Sequence, residues 1–343
     1  MGSVKDLLIL ETPTEKSPGL GRFIFSDRYS VFDWGEMPDH IDQKGAALCI
    51  SAAYFFEKIE REGIITHYAG LVEDNQAKPL KHVKQPTNIL ETKLYRVLQP
   101  QLTKQNTYDY QIYQQEKGNF LIPLEVIYRN SLPAGSSVFK RLNKGDLSLE
   151  ELGLDELPQE GEELNTPFLD VSTKLEATDR YLSWQEAQEI SQLSPQKMDE
   201  IKKIILKISQ IISQEAQKIG LKNEDGKFEF ALDNNRNIVV VDVLGTMDEC
   251  RFAYQGIPIS KEIARLYYRQ VDWYKEVLKA KEKDPVHWKD LVKQGPPNLP
   301  PRLKLLLSWI YSAFTNEITE KEWFMDIPPL KDVLNEIRDF LKM

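Results

Sequence analysis

Two carboxylates in the second half of the sequence have the setting of a metal site. Glu229 lies in the string K-F-E-F, and Asp242 follows the apolar run I-V-V-V. The turn-forming string D-N-N-R separates them, so we expect two adjacent strands that bring the acids together. Carboxylate oxygens hold Mg²⁺, which bridges the phosphates of a nucleotide and neutralises charge during phosphoryl transfer. The alternative is that both acids only form ion pairs, with Lys227 or Arg236.

A second cluster has the composition of a phosphate site. It begins at Arg129, where a strand rich in β-branched residues ends, and continues as N-S-L-P-A-G-S-S-V-F-K-R to Lys140 and Arg141. A Pro and Gly turn brings N–H groups and serine hydroxyls together there, and arginine binds a phosphate monoester bidentately. A solvated hairpin accounts for the same composition, and composition alone does not separate the two.

Two more clusters combine charge with a turn or a helix start. In S-D-R-Y-S-V-F-D followed by D-Q-K-G, the backbone N–H of Gly45 and the side chain of Lys44 can bind an anion at the start of a helix. The same string also fits a turn in which Asp27 caps the helix and Arg28 pairs locally. In T-M-D-E-C-R-F, directly after the apolar strand, Arg251 can reach an anionic substrate.

General catalytic motifs are absent from the sequence. It contains no G-x-x-x-x-G-K-[ST] loop, no G-x-G-x-x-G after a strand, no G-x-S-x-G elbow and no H-E-x-x-H. The cysteines and histidines lie in unrelated contexts without metal-ligand spacing, which argues against a zinc site. The chain therefore offers charged clusters at the ends of elements instead of a nucleophile with its base.

Composition and charge exclude several classes of protein. The net charge of -9 disfavours a nucleic-acid binder, because such proteins neutralise phosphates with a basic excess. No apolar run approaches the roughly 20 residues that span a bilayer, and no basic, apolar leader is present, so we expect no membrane partner. Cys49 and Cys250 are typical of reduced thiols in a cytoplasmic protein. A length of 343 residues indicates two or three closely packed subdomains.

The elements that position these clusters follow from the periodicity of apolar residues. Strands are predicted at residues 4–11, 22–27, 121–129 and 238–243. Helices are predicted at residues 45–62, 201–219, 260–280, 302–315 and 329–342. Residues 147–164 are acidic and contain glycine and proline, so they are predicted to form a mobile surface segment.

Taken in chain order, the clusters resemble the SAICAR synthetase family. They read S-D-R-Y-S-V-F-D, D-Q-K-G, R-N-S-L-P-A-G-S-S, T-K-L-E with Asp179, K-F-E-F and D-V-L-G-T-M-D-E-C-R-F. The family strings are S-D-R-I-S-A-F-D, K-G, R-N-x-x-x-G-S, T-K-x-E with H-D, K-x-E-F and D-E-x-x-x-P-D-x-x-R. The resemblance spans residues 2–270 and implies an α+β fold related to ATP-grasp enzymes, with an N-terminal antiparallel sheet, a central α/β sheet and C-terminal helices. We accordingly predict three regions, residues 1–120, 121–259 and 260–343.

The resemblance also implies a reaction in purine synthesis. ATP phosphorylates the carboxylate of an imidazole ribotide, and the amine of L-aspartate then attacks the acyl phosphate to give SAICAR, ADP and phosphate. ATP and Mg²⁺ are the implied cofactors, and aspartate and the ribotide carboxylate are the implied small-molecule partners. A related ligase for another acid or amine, or a nucleotide-binding protein without turnover, are the alternatives, and a homo-oligomer is compatible with all three.

Family roles carry over to matching positions of this sequence. Contacts to ATP are implied for Lys5, Glu125, Glu229 and Asp242, of which the last two also hold Mg²⁺. The ribotide phosphate is assigned to Arg129, Ser136, Arg251 and, at a later motif, Arg269. Catalytic roles are implied for Lys44, Asp33 and Lys227. The region for aspartate and the imidazole carboxylate is shaped by Asp27, Arg28, Ser30 and Gly45, and the substrate-closing loop carries Lys174 and Asp179.

Four positions depart from the family strings. Ser3 replaces a lysine, Thr178 replaces the histidine before the loop aspartate, and Met247 replaces a proline. Val243 replaces the glutamate of D-E and removes a charge beside the predicted metal ligand. These changes motivate the alternatives of another substrate or of lost turnover. Residues beyond 280 lie outside the resemblance, and only packing or a subunit contact is predicted for them.

Overall fold

The computed structural model describes residues 4–259 and 261–342 of the chain, so Ser3 lies outside the described residues. Its strands are β1 (Lys5–Glu11), β2 (Gly19–Phe25), β3 (Tyr68–Glu73), β4 (Gln76–Lys78), β5 (Ile89–Leu94), β6 (Gln101–Leu102), β7 (Tyr108–Asp109), β8 (Phe120–Leu132), β9 (Glu162–Thr173), β10 (Lys222–Leu232), β11 (Ile238–Val241), β12 (Cys250–Tyr254) and β13 (Ile257–Ile259). Its α-helices are α1 (Lys44–Arg61), α2 (Ser137–Lys144), α3 (Leu149–Leu152), α4 (Trp184–Ser191), α5 (Pro195–Lys218), α6 (Lys261–Arg269), α7 (Asp272–Lys283), α8 (Pro301–Thr319) and α9 (Leu330–Leu341).

The N-terminal sheet has the strand order β1-β2-β5-β3-β4, with antiparallel neighbours throughout. The hairpin predicted at the start of the chain is confirmed as β1 and β2. Helix α1 packs against this sheet, as its long apolar run requires. Its start lies so close to the end of β2 that a Cβ on Gly45 would be 2.7 Å from the carbonyl oxygen of Phe25. Glycine is therefore required where the helix begins.

The central sheet has the order β13-β12-β10-β8-β9, and β11 pairs with β10. Every pair of these strands is antiparallel. Helix α5 packs across β8 and β10 and buries the predicted isoleucine stripe, of which Ile201, Ile205 and Ile208 are fully buried. An isolated bridge between Thr66 and Val240 joins the two sheets. The predicted α+β architecture with an antiparallel N-terminal sheet is confirmed, and the central sheet is antiparallel as well.

Two segments differ from their predictions. The helix expected at residues 260–280 is two helices, α6 and α7, because Val271 adopts an extended conformation between them. The break allows Trp273 to pack edge-on against Trp34 and Tyr268. The acidic stretch at residues 147–164 contains the short helix α3, which Ser148 and Glu151 hold with a capping box. Gly153 ends α3 with a φ of 70°, whereas no proline or glycine marks the break between α6 and α7.

The C-terminal helices complete the core. Helix α8 begins with Pro301 at its first turn, where a missing N–H costs nothing, and packs between α1 and α9. One continuous apolar cluster includes Phe25 of the N-terminal sheet, Phe228 of the central sheet and Phe314 of α8. The division of the chain into three regions, with boundaries after residues 120 and 259, stays a prediction. None of the helices in the described ranges has the length and apolar character needed to cross a membrane.

We predict that Phe314→Ala destabilises the fold by about 3–5 kcal/mol, because the buried ring leaves a cavity next to Phe252. The midpoint of thermal unfolding, followed by circular dichroism, measures the effect. Leu305→Ala in the same helix is the control, because Leu305 is 40% exposed. Equal shifts for both variants would show that α8 does not pack as described.

Candidate functional site

A cavity of about 510 Å³, the main cavity of the candidate site, lies against one face of the central sheet. Four of the predicted site residues line it, namely Arg129, Asp179, Lys227 and Arg251. The strand register explains why they meet, because Asp225 of β10 is opposite Arg129 of β8 on one side and Arg251 of β12 on the other. Side chains directly opposite on neighbouring antiparallel strands are close enough to interact.

Asp225 connects the two arginines predicted to bind phosphate. Its carboxylate accepts a hydrogen bond of 2.8 Å from Nε of Arg251, and one oxygen lies 3.5 Å from Nη1 of Arg129. Arg129 also donates to Asp170 at 3.0 Å and is almost fully buried, whereas Arg251 is about one-third exposed. The buried guanidinium is held by two acids, and Arg251 is the more accessible of the pair.

The serines after Arg129 have different positions. Ser136 is buried and caps α2, where its hydroxyl accepts the N–H of Val138. Ser137 lines the cavity, accepts a hydrogen bond of 3.2 Å from Nη2 of Arg129 and lies 2.6 Å from the hydroxyl of Tyr181. The hydroxyl next to the cavity is therefore that of Ser137, one residue after the predicted Ser136.

A cluster of lysines and carboxylates surrounds the predicted metal ligands. Glu125 of β8 is opposite Glu229 of β10, and the ammonium of Lys174 lies 2.8 Å from the first and 2.6 Å from the second. Lys227 lies 2.8 Å from Glu125 as well, and Lys5 forms an ion pair with Asp242. The predicted alternative of a pair with Lys227 or Arg236 is thus replaced by pairs with Lys174 and Lys5.

Glu229 and Asp242 influence each other because both are close together and poorly hydrated. Glu229 is opposite Val241, the residue before Asp242. Burial raises the pKa of Glu229 to about 7, and the charge of Asp242 acts in the same direction. Asp242 has a φ of 66°, an uncommon backbone conformation that occurs at functional sites. Two carboxylates that repel each other in this way are suited to share a cation.

His67 lies beside this pair of carboxylates but does not supply a positive charge to it. His67 lies 3.0 Å from the carbonyl oxygen of Asp242, and burial lowers the pKa of His67 to about 4. The imidazole is therefore neutral at physiological pH. Among the described residues, no group of three His, Cys, Asp or Glu side chains has the arrangement of a preformed metal site. A cation at the pair would need oxygen ligands from a bound nucleotide as well.

The start of α1 is capped by the protein itself. The carboxylate of Asp27 accepts the N–H of Gly45 at 2.9 Å and that of Gln43 at 3.2 Å. The N–H of Gly45, which was predicted to bind an anion, is therefore already hydrogen-bonded to Asp27. The alternative in which Asp27 caps the helix describes the structure. Arg28 donates to the hydroxyl of Ser26 at 2.9 Å, which is a local contact, but its ion pair is with Asp6 of β1 at 2.9 Å, 22 residues away in sequence. Ser30 is half-buried.

Lys44 is fully buried at the first turn of the same helix. Its ammonium lies 2.7 Å from Asp248, which lines the cavity. Burial alone would raise the pKa of Asp248, but the charges of Lys44 and Lys261 and hydrogen bonds from Lys44 and Tyr311 lower it to about 2. The carboxylate of Asp248 is therefore ionised at neutral pH.

Three predicted residues lie at the edge of this arrangement. Asp33 is exposed, has a φ of 62° and pairs with Lys281 at 2.9 Å. Asp179 lies on an exposed loop at the cavity. Arg269 pairs with Glu262 and lines a neighbouring cavity of about 490 Å³ instead of the main one. Arg251 and Glu262 line both cavities, so Arg269 lies in the space next to the Arg251 end of the site.

The departures from the family strings have distinct surroundings. Val243 is buried in the apolar core, so the position beside Asp242 holds a packing residue. Met247 is buried and lines the main cavity, and Thr178 is exposed. Val243 therefore leaves both carboxylates of the predicted metal pair in place.

Sequence reasoning missed several residues that build the site. They are Ser137, Asp170, Tyr181, Asp225, Asp248, Lys261 and Tyr311. Asp248 was within reach because it stands in T-M-D-E-C-R-F, three residues before Arg251. Asp225 could have been found from the two-residue alternation with Lys227 and Glu229 on one strand face.

The chain is similar in sequence to SAICAR synthetases. The SAICAR synthetase family model matches residues 2–281. A putative phosphoribosylaminoimidazole-succinocarboxamide synthase of Archaeoglobus fulgidus is 49% identical over 342 residues, 100% of both chains. The phosphoribosylaminoimidazole-succinocarboxamide synthase of Thermoplasma volcanium is 32% identical over 308 residues, 88% of this chain and 93% of that protein.

Solved structures support the fold. The SAICAR synthase from Saccharomyces cerevisiae complexed with SAICAR has a TM-score of 0.63 at 20% identity, covering 94% of each chain. A SAICAR synthetase in complex with ADP has a TM-score of 0.55 at 21% identity, covering 87% of this chain and 99% of that one. The family match over most of the sequence and the full-length relative at 49% identity establish that the chain belongs to the SAICAR synthetase family.

Proposed function

We propose that the main cavity and the adjoining lysine and carboxylate cluster form one active site for the family reaction. The chain is a phosphoribosylaminoimidazole-succinocarboxamide synthase, an ATP-dependent ligase that condenses L-aspartate with an imidazole ribotide carboxylate in purine biosynthesis. The proposal assigns its substrates to named residues. The ribotide phosphate occupies the Arg129 and Arg251 end, and the nucleotide phosphates occupy the Glu229 and Asp242 end.

This proposal rests on three charged side chains that share one face of β10. Asp225, Lys227 and Glu229 alternate along β10 without a register shift between them, so their side chains project from the same face. A rise of roughly 3.3 Å per residue separates the two ends by about 13 Å. This separation suits a ribotide that extends from its phosphate to the carboxylate that becomes activated. Lys227 lies between the ends, where the carboxylate and the transferred phosphoryl group would meet.

The chemistry requires activation because a free carboxylate does not expel oxygen. A carboxylate oxygen of the ribotide attacks the γ-phosphorus of ATP, and ADP leaves. The aspartate nitrogen then attacks the acyl carbon, phosphate leaves with the bridging oxygen, and the nitrogen loses a proton. We assign Lys227 and Lys44 to this region, where cations stabilise charge on the transferring groups. Asp33, at the exposed edge of the site, is assigned to the region of the aspartate substrate. Holding both reactants in attack geometry can lower the barrier by about 7–11 kcal/mol.

The residues at the nucleotide end fit Mg²⁺. Glu229 and Asp242 are two carboxylates whose mutual repulsion a divalent cation would relieve, and oxygen ligands are those that Mg²⁺ prefers. When bound, Mg²⁺ neutralises charge on the nucleotide phosphates. Lys5 and Lys174 form ion pairs with these acids. If Mg²⁺ neutralised the carboxylates instead, both ammonium groups would be free to donate hydrogen bonds to phosphate oxygens. Glu125 keeps Lys174 and Lys227 in place.

The remaining assignments concern the closing loop and the compartment. Lys174 and Asp179 flank the loop after β9, and we assign them to closure over the bound substrates. Asp27, Arg28 and Gly45 shape the start of α1, and through it the position of Lys44. We also assign the enzyme to the cytoplasm, which suits two buried free cysteines.

We predict that the full chain releases ADP only when ATP, Mg²⁺, aspartate and the imidazole ribotide carboxylate are all present. A coupled assay of ADP formation, with each component omitted in turn, measures this requirement. Glutamate in place of aspartate is the matched control for the amine substrate. ADP formation that does not depend on aspartate would refute the proposal.

We predict that Glu229→Gln and Asp242→Asn each weaken Mg²⁺-dependent binding of ADP by at least roughly tenfold, because each removes a charged ligand. Calorimetric titration with ADP in the presence and absence of Mg²⁺ measures the difference. Glu215→Gln is the control, because Glu215 is also buried and pairs with Lys58 away from the cavity. Unchanged Mg²⁺ dependence in both site variants would remove the metal role from these residues.

We predict that Arg251→Ala raises the KM for the ribotide by roughly 10- to 100-fold, because a charge-assisted contact to phosphate is lost. Binding of ADP with Mg²⁺ should stay within about twofold of the unmodified enzyme. Arg22→Ala is the control, because Arg22 pairs with Glu91 on the N-terminal sheet. Steady-state kinetics with the ribotide as the varied substrate decide the outcome, and an unchanged KM contradicts the phosphate assignment.

A further inference from the structure

Helix α8 lies beyond residue 281, where the family match ends, yet one of its side chains reaches the active site. The hydroxyl of Tyr311 donates a hydrogen bond of 2.7 Å to one oxygen of Asp248, and the ammonium of Lys44 lies 2.7 Å from the other. Tyr311 and Lys44 are both fully buried, and Asp248 lines the main cavity. The three residues form a chain from the C-terminal region to the substrate site.

The packing of α8 on α1 holds Tyr311 in this place. Ser308 donates to the carbonyl oxygen of Asp42 at 2.7 Å, and Thr315 donates to that of Ala47 at 3.0 Å. Residues at positions 308, 311 and 315 share one face of a helix, so the same face that carries Tyr311 is anchored on both sides. Tyr311 therefore has little freedom to leave Asp248.

Asp248 depends on this contact because it is largely buried. Each carboxylate oxygen has one side-chain partner, Lys44 for the first and Tyr311 for the second. A buried oxygen that loses its donor is destabilised, and the carboxylate then turns towards other donors. The ammonium of Lys44 also lies 5.4 Å from the centre of the Tyr311 ring, which is within range of a cation–π contact.

We propose that Tyr311 is a positioning residue of the active site, which orients Asp248 and, through it, Lys44 towards the bound substrates. The inference rests on the proposed function, which assigns Lys44 to the region of aspartate and the imidazole carboxylate. Tyr311 touches neither substrate in this scheme. Its effect falls on the ligation reaction and leaves nucleotide binding unchanged.

Tyr311→Phe in the full chain tests the inference. We expect kcat/KM for aspartate and for the ribotide to fall roughly tenfold, the scale of one hydrogen bond to a charged group. The KM for ATP and the affinity for ADP with Mg²⁺ should stay within about twofold. If Tyr311 contributed only to packing, Tyr311→Phe would lower the midpoint of thermal unfolding. It would not lower kcat/KM for aspartate and the ribotide while leaving nucleotide binding unchanged.

Tyr54→Phe is the matched control. Tyr54 donates to Glu215 at 2.6 Å, and Lys58 pairs with the same carboxylate, so this variant removes the same kind of hydrogen bond away from the cavity. We expect it to keep the kinetic constants of the unmodified enzyme. Equal kinetic losses in the two variants would overturn the inference.

A double-mutant cycle tests whether Tyr311 acts through Asp248. Asp248→Asn combined with Tyr311→Phe should lose hardly more activity than Asp248→Asn alone, whereas additive losses overturn the inference. Unaltered kinetics of Tyr311→Phe overturn it as well, with the proposed function intact. If the unmodified enzyme shows no aspartate-dependent turnover, the proposed function fails, and this inference fails with it.

Discussion

The antiparallel register of β8, β10 and β12 is the constraint on which the site depends. It aligns Arg129, Asp225 and Arg251 in one row across three strands and places Glu125 opposite Glu229 in another. A shift of β10 by one residue would turn Asp225 and Glu229 to the opposite face of the sheet, away from their partners on β8 and β12. The buried face of the sheet, packed against α5, prevents such a shift, since it would expose the apolar core. The arrangement of the residues assigned to the substrates is thus a consequence of sheet packing.

Compensation of buried charge is the second common feature of the site. Arg129, Lys174 and Lys44 each pair with acids in a poorly hydrated environment. Removal of one partner from such a pair leaves an isolated buried charge, which is strongly unfavourable. Anionic phosphates can replace the carboxylates as partners of the cations, and a metal ion can replace the lysines as partners of the acids. In the proposed function, each group in these pairs therefore has both a partner within the protein and a partner of opposite charge among the ligands.

Local pattern was sufficient for part of this structure. The first hairpin, α1, α5 and the strand pair carrying Glu229 and Asp242 follow from periodicity and turn residues, because each is decided within a short segment. The order of the motifs was enough to identify the family. Roles of individual residues remain predictions, since they depend on bound ligands.

The rest depends on contacts between distant parts of the chain. The pairing of Asp225 with both arginines results from strand register, and the contact of Tyr311 with Asp248 results from helix packing 63 residues away in sequence. The break between α6 and α7 follows from the burial of Trp273 among other aromatic rings, although the apolar spacing continues through it. Ser136 and Ser137 differ only in which one caps α2, a detail of backbone geometry that composition does not contain.

The packing of α8 on α1 has a consequence for how the catalytic unit of this enzyme is delimited. A fragment that ended at residue 281 would contain every motif of the family and would uncover the surface of α1 around Ala47 that α8 now covers. The apolar core therefore extends past the segment that the family model matches, since it includes residues of α8 and α9. The family model ends at residue 281, whereas the similarity to the full-length relative and the packed core both continue through the C-terminal helices.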